Sequence, residues 1–344
     1  SRRQFLGSLA AATAAFAIPA SAQTPAPKKA KSAPAGPAGI APGPILPPES
    51  RNSVVYRFNI GDIEAWSISD GHMTFREGLG LMWPEEARPA MKDDLVAHGE
   101  RLDALPLYVN ILVCRLGNEI ALFDAGFGAR PNNKEIGWLN TALASIGISP
   151  EKVTQTFLSH AHGDHIGGFV VDNKAIFPNA ALHVLKAEVD FWRSPEPDFS
   201  RSKRAKGPLP NMIKEARNKF DVLQPNLQLH AGSAKVLGGA IEIEPALGHT
   251  SGHAIYRVRS GKESLLHFMD VAHHHTLMFT DPTWGIAFDH EPEQAIDTRK
   301  KLFAQLAGTN ERAYGFHLPW PGIGRITKQG TGYVWNSERW SWGS

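Results

Sequence analysis

Ser159-His160-Ala161-His162-Gly163-Asp164-His165-Ile166-Gly167-Gly168 places three imidazoles and one carboxylate within six positions. The preceding stretch, Val153-Thr154-Gln155-Thr156-Phe157-Leu158, is rich in β-formers and reads as a buried strand. The cluster therefore falls where a strand ends and a Gly-rich turn begins, so its side chains can converge on one point. Borderline metals such as zinc take His nitrogen and Asp oxygen at about 2.0–2.2 Å. Four donors this close leave lone pairs competing for solvent unless a cation gathers them. The stretch reads as a metal site, in preference to a polar loop with chance histidines.

Two cations need further ligands, and downstream strand ends supply them. His249 follows the strand-like Ile241–Glu244 within Gly248-His249-Thr250-Ser251-Gly252-His253. Asp270 ends the apolar run Leu265–Met269, and His317 ends Ala313-Tyr314-Gly315-Phe316. Any one of these alone reads first as a structural residue; their joint occurrence in this order along the chain carries the argument.

In that order, His160-x-His162-x-Asp164-His165, His249, Asp270 and His317 resemble the metallo-β-lactamase superfamily. The resemblance spans about residues 54–335. It implies an α/β fold, the αββα sandwich of two packed mixed sheets with helices on the outer faces. It also implies two divalent metal ions, zinc first, with Mn, Co or Fe as alternatives. His160, His162 and His249 would hold one ion, Asp164, His165 and His317 the other, with Asp270 bridging. Within the superfamily, the bridging Asp and the absence of a Cys ligand disfavour a β-lactamase. His162 stands where flavo-diiron proteins carry Glu, and no basic helical tail of the glyoxalase II kind follows. Phe316-His317-Leu318-Pro319-Trp320-Pro321-Gly322-Ile323-Gly324 is similar to the methyl parathion hydrolase group, which includes organophosphate hydrolases and aryl-lactonases. Gly61-Asp62-Ile63-Glu64-Ala65 and Asp124-Ala125-Gly126 fit the same group. A homodimer is implied only by this resemblance.

The rest of the chain agrees with an exported enzyme. Arg2-Arg3, the apolar run Leu6–Ile18 and Ala20-Ser21-Ala22 resemble a twin-arginine signal over residues 1–22, with a membrane anchor as the other reading. This leads to expected periplasmic localisation, with no stable membrane insertion after processing. Residues 23–50 form a Pro/Ala-rich tether that cannot bury a core, and residues 51–344 form the hydrolase domain. The positive excess of two charges equals Arg2 and Arg3, so nothing suggests a nucleic-acid footprint. Cys114, the single cysteine, lies in an apolar run; it reads as an inert thiol and excludes an intrachain disulfide. Hairpins are expected at Val54–Ser69 and Leu107–Phe123, helices at Trp138–Ile146, Lys186–Trp192, Met212–Phe220 and Pro292–Leu306, and an irregular segment over 76–104 with Met82-Trp83-Pro84 mobile near the site.

The expected chemistry is attack by a metal-bridging hydroxide on a carbonyl or phosphoryl group. Asp270 and Asp164 position the ions, and Asp124 accepts the N–H of a ligand imidazole, or else caps a turn. Trp83, Phe127, Phe191, Trp192, Trp284, Ile286 and Phe288 are candidates for an apolar substrate wall, each with core packing as its alternative. His273 takes the place of a Tyr in acyl-homoserine-lactone lactonases and of an aliphatic residue in phosphotriesterase members. With Ile286 and Phe288 nearby it favours the aryl-lactonase side, unless His273-His274-His275 is a surface tract. The expected substrate is a small aromatic lactone or ester, with organophosphate triesters as promiscuous substrates. The rivals are a dedicated organophosphate hydrolase, a mononuclear-iron redox enzyme of the persulfide dioxygenase kind, and a non-catalytic binding module.

Overall fold

The computed structural model describes residues 53–83, 85–129 and 133–339. The expected signal and tether over 1–50 lie outside the described residues, and so does Pro84. β1 (Val55–Ile60) and β2 (Ile63–Arg76) make the first hairpin, pairing Val55 with Ile68 through to Ile60 with Ile63. β3 (Ala104–Leu116) and β4 (Glu119–Phe123) make the second, and β2 also pairs along β3. β5 (Gln155–Phe157) then turns the sheet parallel. After a small ribbon, β6 (Val170–Val171) with β7 (Lys174–Ala175), the chain returns as β8 (Ala181–Leu185) and β9 (Leu227–His230). The first sheet has the order β1-β2-β3-β4-β5-β8-β9.

The second sheet runs in chain order: β10 (Ala234–Val236), β11 (Ile241–Pro245), β12 (Ala254–Ser260), β13 (Glu263–His267), β14 (Arg312–Tyr314), β15 (Ile323–Gln329) and β16 (Gly332–Ser337). Only the β13–β14 pairing is parallel. Both faces of its central strands are buried, so alternate residues serve two cores. Ala254, Tyr256, Val258 and Leu265 face the first sheet, packing with Ile111, Val113, Leu122, Phe123 and Phe157. Ile255 and Leu266 face the other way, into a core with Leu302, Phe303 and Leu306.

Helices cover the outer faces, giving the αββα sandwich expected from the sequence. α1 (Gly78–Met82) and α2 (Arg88–Ala97) precede β3, and α3 (Leu139–Ser145) precedes β5. One turn, α4 (Gly163–Ile166), carries part of the His cluster. α5 (Lys186–Arg193) and α6 (Leu209–Leu223) follow β8, while α7 (Leu277–Thr280) and α8 (Pro292–Thr309) separate β13 from β14. No described helix is long and apolar enough to cross a membrane. Cys114 is buried on β3, and burial raises its thiol pKa.

The reading of 76–104 as irregular is corrected. That segment folds into α1 and α2, which bury Leu79, Met82, Met91 and Leu95 in the second core. Trp83 is 2% exposed in the same core, not part of a mobile flap. β15 and β16, which complete the second sheet, were not anticipated either.

Candidate metal centre

All seven expected ligands meet at one edge of the sandwich. The turn after β5 brings His160, His162, Asp164 and His165. Turns after β11, β13 and β14 bring His249, Asp270 and His317. His162 Nδ1 lies 2.9 Å from His160 Nε2 and 3.0 Å from His249 Nε2. Around one tetrahedral cation such nitrogens stand roughly 3.3 Å apart, so little movement is needed to hold it. A hydrogen between one pair of these nitrogens leaves the other facing lone pair to lone pair. His165 Nε2 and Asp270 Oδ1, 3.2 Å apart, are both buried without a hydrogen-bond partner. These orphaned atoms fit divalent cations, as does the chemistry of the donor set.

Asp270 stands between the two groups. Its Oδ2 is 3.2 Å from His249 Nε2, 3.2 Å from His317 Nε2 and 3.6 Å from His160 Nε2. Donor atoms of His160, His162, His249 and Asp270 can share one ion, and those of Asp164, His165 and His317 a second. His273 Nε2 is 3.1 Å from Asp270 Oδ2, and His273 forms a further donor group with Asp270 and His317. His273 and His274 are buried, which excludes the surface-tract reading for both.

The outer ring nitrogens have partners that fix each tautomer. His165 Nδ1 donates to Asp124 Oδ2 at 2.6 Å, and the Ser159 hydroxyl donates to the same oxygen at 2.6 Å. His160 Nδ1 reaches Ser159 Oγ at 2.9 Å, so Ser159 relays the Asp124 charge to a second ligand. His249 Nδ1 donates to Asp289 Oδ1 at 2.8 Å, and His317 Nδ1 donates to the Tyr108 carbonyl at 2.7 Å. Asp124 and Met269 adopt left-handed backbone (φ 58° and 48°) at the turns that aim the carboxylates. Such positions are disfavoured for side-chain-bearing residues and cluster at functional sites.

Electrostatics follow from this crowding. Burial, then the neighbouring His165, hold His160 well below the usual imidazole range. Burial also pulls on His165, but Asp270, Asp164 and Asp124 outweigh it and raise that ring well above the range. Asp270 is buried too, yet His165, His317 and His160 hold its carboxyl well below the usual range. To hold a divalent cation at Nε2, His165 would have to give up the second ring proton that these carboxylates favour.

Two glycines allow the approach of the ligand turns. A Cβ on Gly168 would lie 1.9 Å from the Ala125 carbonyl oxygen, and one on Gly252 would lie 2.1 Å from the Glu188 nitrogen. Glu188, fully buried on α5, ties both ligand turns together. Its Oε1 accepts from Ala161 N–H at 2.8 Å and Trp192 Nε1 at 2.7 Å; its Oε2 accepts from Thr250 Oγ1 at 2.5 Å and Gly252 N–H at 3.0 Å.

The sequence profile described as the Metallo-beta-lactamase superfamily matches residues 104–317. The chain belongs to the metallo-beta-lactamase superfamily. Among solved structures of this superfamily fold, it is 31% identical to AidC, a dizinc quorum-quenching lactonase in complex with the product N-hexanoyl-L-homoserine. That match has a TM-score of 0.80 and covers 84% of this chain and 100% of the other. The hydrolase AbOPH of the beta lactamase superfamily is 24% identical with a TM-score of 0.76, covering 85% of this chain and 100% of the other, a likeness of fold. Ribonuclease Z of Methanothermobacter thermautotrophicus is 42% identical over 57 residues, 17% of this chain; the chain spans 15% of that protein's length. As a superfamily member with lactonase and hydrolase neighbours, the chain is a metal-dependent hydrolase, and its His/Asp cluster together with a dizinc neighbour indicates two divalent metals.

Around this superfamily centre the expected wall residues divide. Phe191 is half-buried, 4.9 Å from the His290 ring, and Trp192 is fully buried with its edge to His162. Phe288 is half-buried against Phe75, Trp284 packs partly against the second core, and Ile286 lies within that core. Phe127 borders a cleft with Val170, Val171 and Lys219 that none of the seven ligands lines. Asp289, His290, Glu188, His253 and Arg204 were not anticipated. His253 Nε2 accepts the Asp270 N–H at 3.2 Å while its Nδ1 donates to the Ala246 carbonyl, and burial, joined by His249, lowers its pKa to about 3. Burial lowers the Arg204 guanidinium to about 10, which leaves it charged at neutral pH.

Proposed function

We propose that the chain is a dinuclear lactonase that opens aromatic lactones and aryl esters, with aryl phosphotriesters as side substrates. The observation that supports it most is the convergence of two donor groups on one carboxylate, Asp270, in a chain 31% identical to a dizinc lactonase. Two divalent cations held at these donors would supply Lewis acidity and a water ionised at neutral pH.

The chain's own residues supply the rest. Asp270 presents Oδ1 to His165 and Oδ2 to His249 and His317, so one carboxylate sets the separation of the two groups. Asp124, Asp289 and the Tyr108 carbonyl fix the ring orientations beforehand, so the donors need little reorganisation as charge develops. Burial lowers the His273 pKa to about 4, so it works as a neutral imidazole. Its Nε2–H donates to Asp270 Oδ2 at 3.1 Å and so orients that carboxylate without adding positive charge. Phe288, under the Arg204 guanidinium, and Phe191, against the His290 ring, offer apolar area for an aryl group.

N-acyl homoserine lactones are the second reading, favoured by the likeness to AidC. The test is kcat/KM for dihydrocoumarin, N-hexanoyl-homoserine lactone and methyl paraoxon, side by side on protein reconstituted with two equivalents of zinc. Dihydrocoumarin favoured by orders of magnitude supports the aromatic reading, and preference for the homoserine lactone replaces it with the second. Paraoxon favoured moves the chain to organophosphate hydrolysis. One iron per chain and no hydrolysis of any of the three would overturn the dinuclear hydrolase.

A further inference from the structure

The segment between α5 and α6 delivers Arg204 to the edge of the metal centre. The guanidinium lies over the Phe288 ring, with Cζ 4.7 Å from its centroid. Nη2 is 3.2 Å from His162 Nε2 and 3.5 Å from the Phe288 carbonyl oxygen. Nη1 reaches Met212 Sδ at 3.7 Å, and Nε is buried with no hydrogen-bond partner. Asp164, Asp289 and Asp270 attract the group, but among the described residues no carboxylate pairs with it within 4.0 Å.

None of these contacts satisfies a guanidinium. With Nδ1 turned toward His160 and His249 as a metal donor, His162 carries its hydrogen on Nε2. That N–H has an acceptor in His290 Nε2 at 3.3 Å, so Arg204 faces a donor there. A thioether and a carbonyl at the limit of range are weak acceptors. The three aspartates are engaged elsewhere, Asp289 with His249 and the other two among the ligand imidazoles. Burying a charge without a partner is costly, and breaking a buried pair more so. An unpaired, forked, aromatic-backed cation beside a reactive centre calls for an anion that arrives from outside.

We propose that Arg204 is the receptor for a carboxylate carried by the substrate, so that the preferred substrate is an anionic lactone or aryl ester. Arg204 is only partly buried, and its two terminal Nη groups form a fork whose N–H groups match two carboxylate oxygens. The Phe288 face holds the guanidinium plane in place. Arg204 sits one imidazole ring away from the nitrogens that converge on the metal, so a carboxylate bound to it places the neighbouring ester group at the donors. The inference rests on the lactonase reading and narrows its substrate.

The test compares dihydrocoumarin with dihydrocoumarins carrying a ring carboxylate, on zinc-loaded protein. A charge-assisted pair predicts kcat/KM roughly tenfold to a hundredfold higher for at least one carboxylated isomer, carried mainly by KM. Arg204→Met should bring that ratio to about one or below, and Arg204→Lys should retain part of it, because the charge stays while the fork is lost. A ratio unchanged in Arg204→Met, or a wild-type preference for the neutral lactone over every isomer, overturns the proposal. Calorimetry with chroman and the chroman carboxylates, which have no scissile bond, gives a readout without turnover. At least tenfold tighter binding of a carboxylate that weakens in Arg204→Lys supports it; equal binding, or tight binding indifferent to both substitutions, overturns it. If both lactones prove inert while chroman carboxylate binding still depends on Arg204, the lactonase reading fails and the anion site stands.

Discussion

Asp289→Asn separates the two ions. Asp289 Oδ1 accepts the His249 Nδ1 hydrogen at 2.8 Å with both groups buried, and no other expected ligand touches this carboxylate. Asparagine can keep an oxygen there, so the bond survives but loses its charge. A hydrogen bond to a charged group contributes about 1.5–3 kcal/mol and a neutral one about 0.5–1.5 kcal/mol. The difference, about 1–2 kcal/mol, corresponds to about fivefold to thirtyfold in the dissociation constant of the ion held by His160, His162 and His249. The ion held by Asp164, His165 and His317 should stay within about twofold, since its imidazoles lean on Asp124 and Tyr108. Arg299 Nη2, 3.8 Å from Asp289, loses its nearby charge too, so melting of the metal-free variant is measured separately and discounted. Competition with a chromophoric chelator resolves two binding steps. Asp124→Asn is the mirror experiment and should weaken the other step more. If both variants weaken the same step most, or Asp289→Asn weakens both equally, the division of ligands between two ions is wrong.

Asp270→Asn should lower kcat/KM by at least about a hundredfold while far-UV circular dichroism stays native; near-native turnover would refute its place between the ions. Gly168→Ala drives a Cβ into the Ala125 backbone carbonyl at 1.9 Å, so zinc retention and melting temperature should both fall, and an unchanged melting curve would show that the turn yields. Burial pushes Asp70 up to about 7, against the Phe127 and Leu139 N–H bonds that its oxygens accept. The unfolded chain releases that proton near pH 4 and the native one near pH 7, so stability is lost as pH rises between them, by up to about 4 kcal/mol. The melting-temperature gap between wild type and Asp70→Asn should therefore narrow from pH 4 to pH 7; a constant or widening gap contradicts it.

The sequence displayed the centre because its donors sit close together and at strand ends. Four of seven fall in six positions, and alternation marked the strands before the rest. The supporting residues gave no such signal. Asp289, Glu188 and Arg204 are single polar residues in a loop, on a helix and in a connection, and only packing brings them to the imidazoles. The α1–α2 segment was hidden for another reason. Gly78-Leu79-Gly80-Leu81-Met82 has poor intrinsic helix propensity, and burial of Leu79, Met82, Met91 and Leu95 in the second core makes it helical. β15 and β16 escaped because Arg325, Lys328, Gln329 and Ser337 are exposed at the sheet's edge, which leaves little apolar pattern to read.

Neither sheet can hold a cation alone. His160, His162, Asp164 and His165 leave the first sheet after β5, while His249, Asp270 and His317 leave the second after β11, β13 and β14. Each donor group thus crosses the seam of the sandwich, and metal affinity becomes adhesion between sheets. The seam does not depend on metal entirely. Glu188 ties the first sheet's turn at Ala161 to the second sheet's turn at Thr250 and Gly252. Asn110, on β3, donates Nδ2 to the carbonyls of Gly315 and Leu318 and so holds the arm that carries His317. These ties place the donors before any ion arrives, at the cost of crowding imidazoles and carboxylates whose charges the ions must resolve. Chelation should therefore remove activity first and loosen the seam second, leaving two intact sheets with their ligand turns still facing one another.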